Sequence, residues 1–257
     1  MAIDLEIAGG VATVTFNRPE ARNAISLEMR EQLWTIFEAL AENDEVRAVI
    51  LTGAGGHFCG GMDVGEMGGG GGVAWSLTKI RRLHRIARAI ASLKKPTIAA
   101  VEGVCVGVGW SYALACDIVI ASETARFAQI FPNIGLTPDG GAVWLLSRQI
   151  GTMRAKEIVY SGRTVRADEA LDLGLILEKT EGAGLLARAR ALAAGFAASP
   201  TLALGMAKRQ FELAATLGFE QFLEAEAAMQ PLMSRTEDHH EGVAAFKEKR
   251  PPAFKGA

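Results

Sequence analysis

Apolar and polar residues alternate over residues 3–7 and again over 11–16, with Gly9-Gly10 between them, the pattern of a β-hairpin. Asn17-Arg18-Pro19-Glu20 breaks the second run, and residues 21–25 follow as a loop. The period then lengthens: Ser26 suits a helix N-cap, and Leu33, Ile36, Phe37 and Leu40 recur at helical spacing. Residues 46–52 are almost continuously apolar and end at Gly53, as expected of a strand buried on both faces. A helix over residues 75–93 places Ile80, Leu83, Ala87 and Ile90 on one face, with Arg81, Arg82, Arg85 and Arg88 largely elsewhere. His84 falls on that apolar face, which predicts a buried histidine with a structural partner, or else a second polar group facing an acyl pocket. Lys95-Pro96 ends the helix, residues 97–101 form the next buried strand, and residues 118–121 another. Thr137-Pro138-Asp139 is a helix-start signature and predicts a helix to about Gln149. Beyond Thr152 the glycine and β-branched runs thin out, and residues 184–198, 200–216, 219–229 and 236–248 read as helices. Strand and helix alternate first and helices follow, which favours a layered α/β core with a helical extension.

Glycine changes this picture most between residues 53 and 72, where Gly68 to Gly72 are consecutive. A five-glycine run is costly to order, and here it predicts a lid beside a binding cleft. The second glycine cluster, Gly103-Val104-Cys105-Val106-Gly107-Val108-Gly109, joins an apolar strand to a short apolar helix. Unpaired N–H groups at such a helix start can hold an oxygen that gains negative charge. Composition narrows the partners: 257 residues, 49% apolar and 22% charged with net charge −2, describe an ordinary soluble globular chain. They give no reason to expect nucleic-acid or membrane binding. Cys59, Cys105 and Cys116 lack metal-ligand spacing and cannot all pair, so no metal and a reducing, cytoplasmic setting are expected. No apolar run approaches the roughly 18 residues of a membrane span, and the N-terminus lacks a secretory pattern.

Five stretches taken in order carry a resemblance. They are Asn17-Arg18-Pro19 with Asn23-Ala24; Phe58-Cys59-Gly60-Gly61-Met62-Asp63; the glycine turn with Ala115-Cys116-Asp117; Gly135-Leu136-Thr137-Pro138-Asp139-Gly140-Gly141; and the tail from Glu241-Gly242 to Phe254-Lys255. From about residue 11 to 255 the chain resembles the crotonase superfamily, the enoyl-CoA hydratase/isomerase family. The resemblance implies an α/β crotonase spiral of ββα repeats over residues 1–195 and a C-terminal helical trimerisation region over 196–257. It implies a homotrimer or a dimer of trimers acting in fatty acid metabolism on an acyl-CoA thioester. Coenzyme A would be part of the substrate, and no separate cofactor is expected.

The same resemblance assigns an oxyanion hole to the main-chain N–H groups of Met62 and Val108. One such donor is typically worth about 3 kcal/mol to an enolate-like transition state. Matching substrate- and CoA-binding positions are Arg22, Ala24, Gly60, Met62, Asp63 and Val64, then Gly107, Val108 and Phe131, and in the tail Phe254 and Lys255. Lys255 would serve a neighbouring subunit's ligand. The two glutamates used by the hydratases would fall at Ser111 and Phe131, and neither is present. Asp139 stands where some isomerases of the family keep a catalytic aspartate, and one carboxylate suffices for a 1,3-proton shift. Double-bond isomerisation with Asp139 as base is therefore the leading expectation. The alternatives are a hydratase-like lyase, a thioester-linked dehalogenase or hydrolase with Asp139 as nucleophile, and a CoA-thioester-binding protein without catalysis. Without the resemblance, Asp139 would merely charge the first turn of its helix, where the helix dipole lowers its pKa unless Phe131 and Trp144 raise it. Met62, Val108, Trp110, Phe131 and Trp144 suggest a bulky apolar pocket. His57 and His239-His240 read as solvated, Asp63 and Asp117 as turn and strand-start hydrogen-bonders, and Cys59 and Cys105 as inert thiols.

Overall fold

The structure, a computed structural model, describes residues 2–66 and 72–257. The glycine run expected to form a lid lies outside the described residues apart from Gly72, which stands at the N-cap of the second long helix.

Strands β1 (Ile3–Ala8) and β2 (Val11–Phe16) pair antiparallel, and Gly9 and Gly10 turn between them at φ 56° and 77°. Helix α1 (Leu27–Glu42) starts where Ser26 Oγ accepts the Met29 N–H at 3.2 Å. After it come β3 (Ala48–Gly53), α2 (Val73–Ser92) and β4 (Thr97–Val101). Strand β5 (Val104–Val106), α3 (Val108–Ala115), β6 (Ile118–Ser122) and β7 (Arg126–Ala128) follow. The second half holds α4 (Ala142–Ile150), α5 (Thr152–Ser161), β8 (Val165–Arg166), α6 (Ala167–Asp172), β9 (Glu178–Thr180) and α7 (Leu185–Ala197). Helices α8 (Thr201–Ala214), α9 (Phe219–Met233) and α10 (Glu237–Glu248) close the chain.

One sheet runs β1-β2-β3-β4-β6-β9, parallel except for the outer hairpin, and a smaller one runs β5-β7-β8. The chain passes from the large sheet to the small one at Gly103, whose φ is 52° and whose added Cβ would stand 2.2 Å from the Gly56 carbonyl oxygen. Only glycine fits there. Both faces of the large sheet are covered, which is why its inner strands are apolar without alternation. Val49 and Leu51 face the core under α1, α2 and α3, and Ile50, Ile98 and Ile120 face Leu185, Ala189 and Ala193 of α7. The layered α/β core followed by a helical C-terminal region is the layout that the sequence suggested.

Several side chains tie the C-terminal segment to the core: Lys208 pairs with Asp117 at 2.8 Å, and Arg148 donates to Ala215 O at 3.0 Å. Arg47 donates to Thr201 Oγ1 at 2.9 Å, Phe254 O at 2.9 Å and Ser199 O at 2.6 Å. Asp238 accepts the N–H groups of Lys255 and Gly256 at 2.7 and 2.8 Å, folding the tail onto α10.

Candidate active site

Two glycine turns meet at the C-terminal ends of the parallel strands, where α/β folds commonly bind ligands. Cys59 and Cys105 pair in a parallel bridge: the Cys59 N–H donates to Val104 O at 2.9 Å and the Val106 N–H to Cys59 O at 3.0 Å. On the other side of the first turn, the Ile25 N–H donates to Gly61 O at 2.7 Å and the Asp63 N–H to Ile25 O at 3.1 Å. In a parallel bridge this pattern turns the N–H of the intervening residue, Met62, away from Ile25. The Gly107 turn lies on that side, since a Cβ on Gly107 would stand 3.9 Å from the Gly61 Cα. Gly107 has φ 56° and ψ −130°, a conformation for glycine alone, and it delivers Val108 as the first residue of α3. Neither the Met62 nor the Val108 N–H has a hydrogen-bond partner among the described residues. The close approach depends on Gly109 as well: a Cβ there would stand 2.6 Å from Cys59 Cβ.

Asn23 stiffens the first turn from below. It is fully buried at φ 58°, donates to Ala54 O and His57 O at 2.9 and 2.6 Å, and accepts the Arg18 N–H at 2.9 Å.

Asp139 is not in a helix. Gly140 and Gly141, at φ 61° and 86°, delay the start of α4 to Ala142, so the expected helix over 137–149 loses its first turn. The dipole that would have lowered the aspartate's pKa therefore acts less on it. Burial dominates and pushes its pKa up to about 6, with Arg30 pulling the other way. Its Oδ1 is shielded from solvent without a hydrogen-bond partner among the described residues. The residue lines an open cleft of about 460 Å³ with His84, Val143, Trp144 and Arg148. The base candidate and the oxyanion turn are neighbours, because a Cβ on Gly140 would lie 2.7 Å from Ser111 Cβ and 3.5 Å from Val108 Cγ2. Ser111 is fully buried, and its hydroxyl meets Asp139 O at 2.9 Å and Gly107 O at 3.2 Å. It fastens α3 to the Asp139 loop and has no free face for chemistry.

Several sequence expectations need correcting. His84 is exposed and lines the Asp139 cleft, because α2 buries Leu83, Ile86 and Ile90 and turns position 84 away from the core. Trp110 does not line the cleft; it is buried against Phe127 with ring centroids 5.5 Å apart. Phe131 is also buried, yet it backs the oxyanion turn, 3.8 Å from where a Gly107 Cβ would be. Trp144 is 51% exposed, and the Arg148 guanidinium stacks on it at 3.8 Å. His57 is not simply solvated: its Nδ1 accepts the Val104 N–H at 3.3 Å.

The remaining candidates spread over the molecule. Asp63 pairs with Arg18 and accepts the Gly65 N–H at 2.9 Å, which fixes the turn after Met62. Asp117 accepts from the Thr97 N–H and hydroxyl at 2.8 Å, a strand-start clasp. Arg22 and Val64 are exposed, Ala24 is partly exposed, and the Gly60 N–H donates to Arg22 O at 2.7 Å. Phe254 lies with α8 and α10, and Lys255 reaches Glu237 at 3.6 Å; neither lines the Asp139 cleft. Burial pushes the Cys59 and Cys116 thiols up to about 12 and Cys105 up as well. Sequence reasoning passed over Arg30, 4% exposed on α1, and the fully buried Tyr112 on α3. A cation three positions before Leu33, on an otherwise apolar helix face, was the available signal for Arg30.

Comparison with known proteins agrees with this architecture. A family model described as enoyl-CoA hydratase/isomerase matches residues 6–257. A Rhodobacter capsulatus protein named as a probable enoyl-CoA hydratase is 37% identical over 254 residues, covering 99% of this chain and 98% of that one. The 1,2-epoxyphenylacetyl-CoA isomerase of Escherichia coli is 37% identical over 250 residues, covering 96% and 95%. The crystal structure of an enoyl-CoA hydratase from Bacillus anthracis superposes with a TM-score of 0.95 at 32% identity, with 100% of both chains covered. A family match over nearly the whole chain, relatives above 30% identity and a shared fold lead to one conclusion: the chain belongs to the enoyl-CoA hydratase/isomerase family of the crotonase superfamily.

Proposed function

We propose that this enzyme moves the double bond of an enoyl-CoA thioester by a 1,3-proton shift, with Asp139 as the base. The observation that carries the reading is Asp139 itself, a carboxylate raised to about 6 by burial, in an open cleft beside Val108. Such a group is ionised at neutral pH and still basic enough to accept a carbon-bound proton from an activated thioester. The thioester carbonyl oxygen accepts from the Met62 and Val108 N–H groups. Asp139 takes a proton from C2 of a 3-enoyl chain, the two amides stabilise the dienolate oxygen, and the same proton returns to C4. The double bond then lies between C2 and C3. The shielding of Oδ1 slows exchange of the carboxyl proton with water between the two transfers.

Hydration is the second reading, because relatives named hydratase outnumber those named isomerase. Hydration needs a second acid–base group, however, and at the matching positions Phe131 has no proton to give while Ser111 is committed to main-chain carbonyls. Asp139→Asn is expected to abolish turnover of a 3-enoyl-CoA while calorimetry still detects thioester binding. Full turnover in that variant would defeat the reading.

We also infer a trimer or dimer of trimers built on the region after residue 196. A groove of about 380 Å³ there is lined by Leu202, Met233, Val243 and Phe246, and Phe246 is 86% exposed. Arg22 and, from a neighbouring copy, Lys255 would meet the coenzyme A phosphates.

A further inference from the structure

Two of the buried polar atoms without a hydrogen-bond partner among the described residues are Asp139 Oδ1, at the cleft, and the Tyr112 hydroxyl, inside the core on α3. They are complementary, since a phenol donates and an ionised carboxylate only accepts. Leaving both buried and unpaired is costly, so each needs a partner in the working enzyme. Their elements are already joined: Ser111, the residue before Tyr112 on α3, meets Asp139 O at 2.9 Å, and Gly140 closes down on the Ser111 Cβ. Tyr112 is fully buried, and its phenol lies in the field of Asp139, Cys59 and Arg30. We propose that Tyr112 is a positioning residue for the base, its hydroxyl donating to Oδ1 of ionised Asp139 and aiming the carboxylate at the cleft. The proposal rests on the reading of Asp139 as the base.

The groups that face Asp139 are few among the described residues. Arg30 approaches from α1 and is itself held by Glu66 at 3.2 Å. His84 on α2 and Arg148 on α4 share its cleft, and Tyr112 comes from α3. Arg30 favours the ionised carboxylate and burial opposes it, and a phenol donating to Oδ1 would favour the ionised form as well. Removing the phenol hydroxyl therefore raises the pH at which Asp139 ionises, with the gain in basicity offset by a looser carboxylate.

The chain has two tyrosines, and the other, Tyr160, is 72% exposed. Uniform labelling with 3-fluorotyrosine in the full-length protein carrying Tyr160→Phe leaves a single fluorine resonance from position 112. That resonance is expected to move between pH 4.5 and 8 with one midpoint, and to stop moving in Asp139→Asn, which separates the effect from His84. In Tyr112→Phe, the acid limb of kcat/KM for a 3-enoyl-CoA is expected to move up by about one pH unit, roughly a tenfold loss at pH 5. A fluorine signal that stays flat, or that titrates equally in Asp139→Asn, overturns the proposal, as does an unmoved limb in a folded Tyr112→Phe. Should Tyr112→Phe fail to fold, the resonance decides alone. Full turnover in Asp139→Asn would instead defeat the base reading and leave the hydrogen bond, read by fluorine, standing.

Discussion

Replacing Asp139 with asparagine is expected to stabilise the protein at neutral pH while removing its activity. Burial moves the carboxyl from 3.8 to about 6. Two pH units correspond to about 3 kcal/mol of preference for the protonated form, and partial exposure trims this to about 1–3 kcal/mol. The raised folded-state pKa stabilises the fold fully below pH 3.8, and that contribution is lost as pH rises through about 6. At pH 7.5 the ionised carboxylate therefore weighs against the folded state, and the neutral amide of nearly the same shape does not. Urea unfolding of wild type and Asp139→Asn at one fixed protein concentration, at pH 5 and at pH 7.5, measures this. The variant is expected to be more stable at pH 7.5, and its advantage to shrink by about 1 kcal/mol at pH 5. A variant less stable at pH 7.5, or an advantage that does not change with pH, would refute the argument that burial raises this carboxyl.

Four further outcomes follow from the same geometry. In steady-state assays, kcat/KM for isomerisation should rise with pH through a limb near 6, because the base acts only when ionised. Gly109→Ala should destabilise by about 1–3 kcal/mol and cut kcat, since its Cβ would press on Cys59 and part the two oxyanion turns; thermal melting and turnover read both. Asn23→Ala should cost about 3 kcal/mol by urea unfolding, because the buried Ala54 and His57 carbonyls and the Arg18 N–H lose their partner. Ser111→Ala should leave kcat within a few-fold of wild type, and a loss approaching a thousandfold would assign the serine a direct chemical role.

Much of the fold was legible because its signals are local. The outer hairpin, the first two long helices and the apolar inner strands follow from period and turn residues that need no tertiary information. Short strands escaped: β5, β8 and β9 span three, two and three residues, too few for a periodic signal, and only pairing across the chain defines them. The start of α4 was misplaced because Pro138 after a threonine mimics a helix start, whereas the positive φ of Gly140 and Gly141 overrides it. His84 was misread because the buried stripe of its helix centres on Leu83, Ile86 and Ile90, which leaves position 84 beside the stripe and not on it. At the site, the glycines were readable because close backbone approach demands them. Arg30 and Tyr112 were not, because their importance comes from which buried charge they face, which is a property of the fold alone.

The central claim is that one buried carboxylate and two main-chain amides carry a proton shift instead of a hydration. Incubating the wild-type enzyme with a panel of 3-enoyl- and 2-enoyl-CoA thioesters in heavy water, and reading products by mass spectrometry, tests it most directly. The account predicts conversion of 3-enoyl to 2-enoyl thioesters without net addition of water, with at most partial deuterium uptake because the buried carboxyl returns the proton it took. Hydroxyacyl-CoA as the main product, or isomerisation that proceeds undiminished in Asp139→Asn, would contradict it.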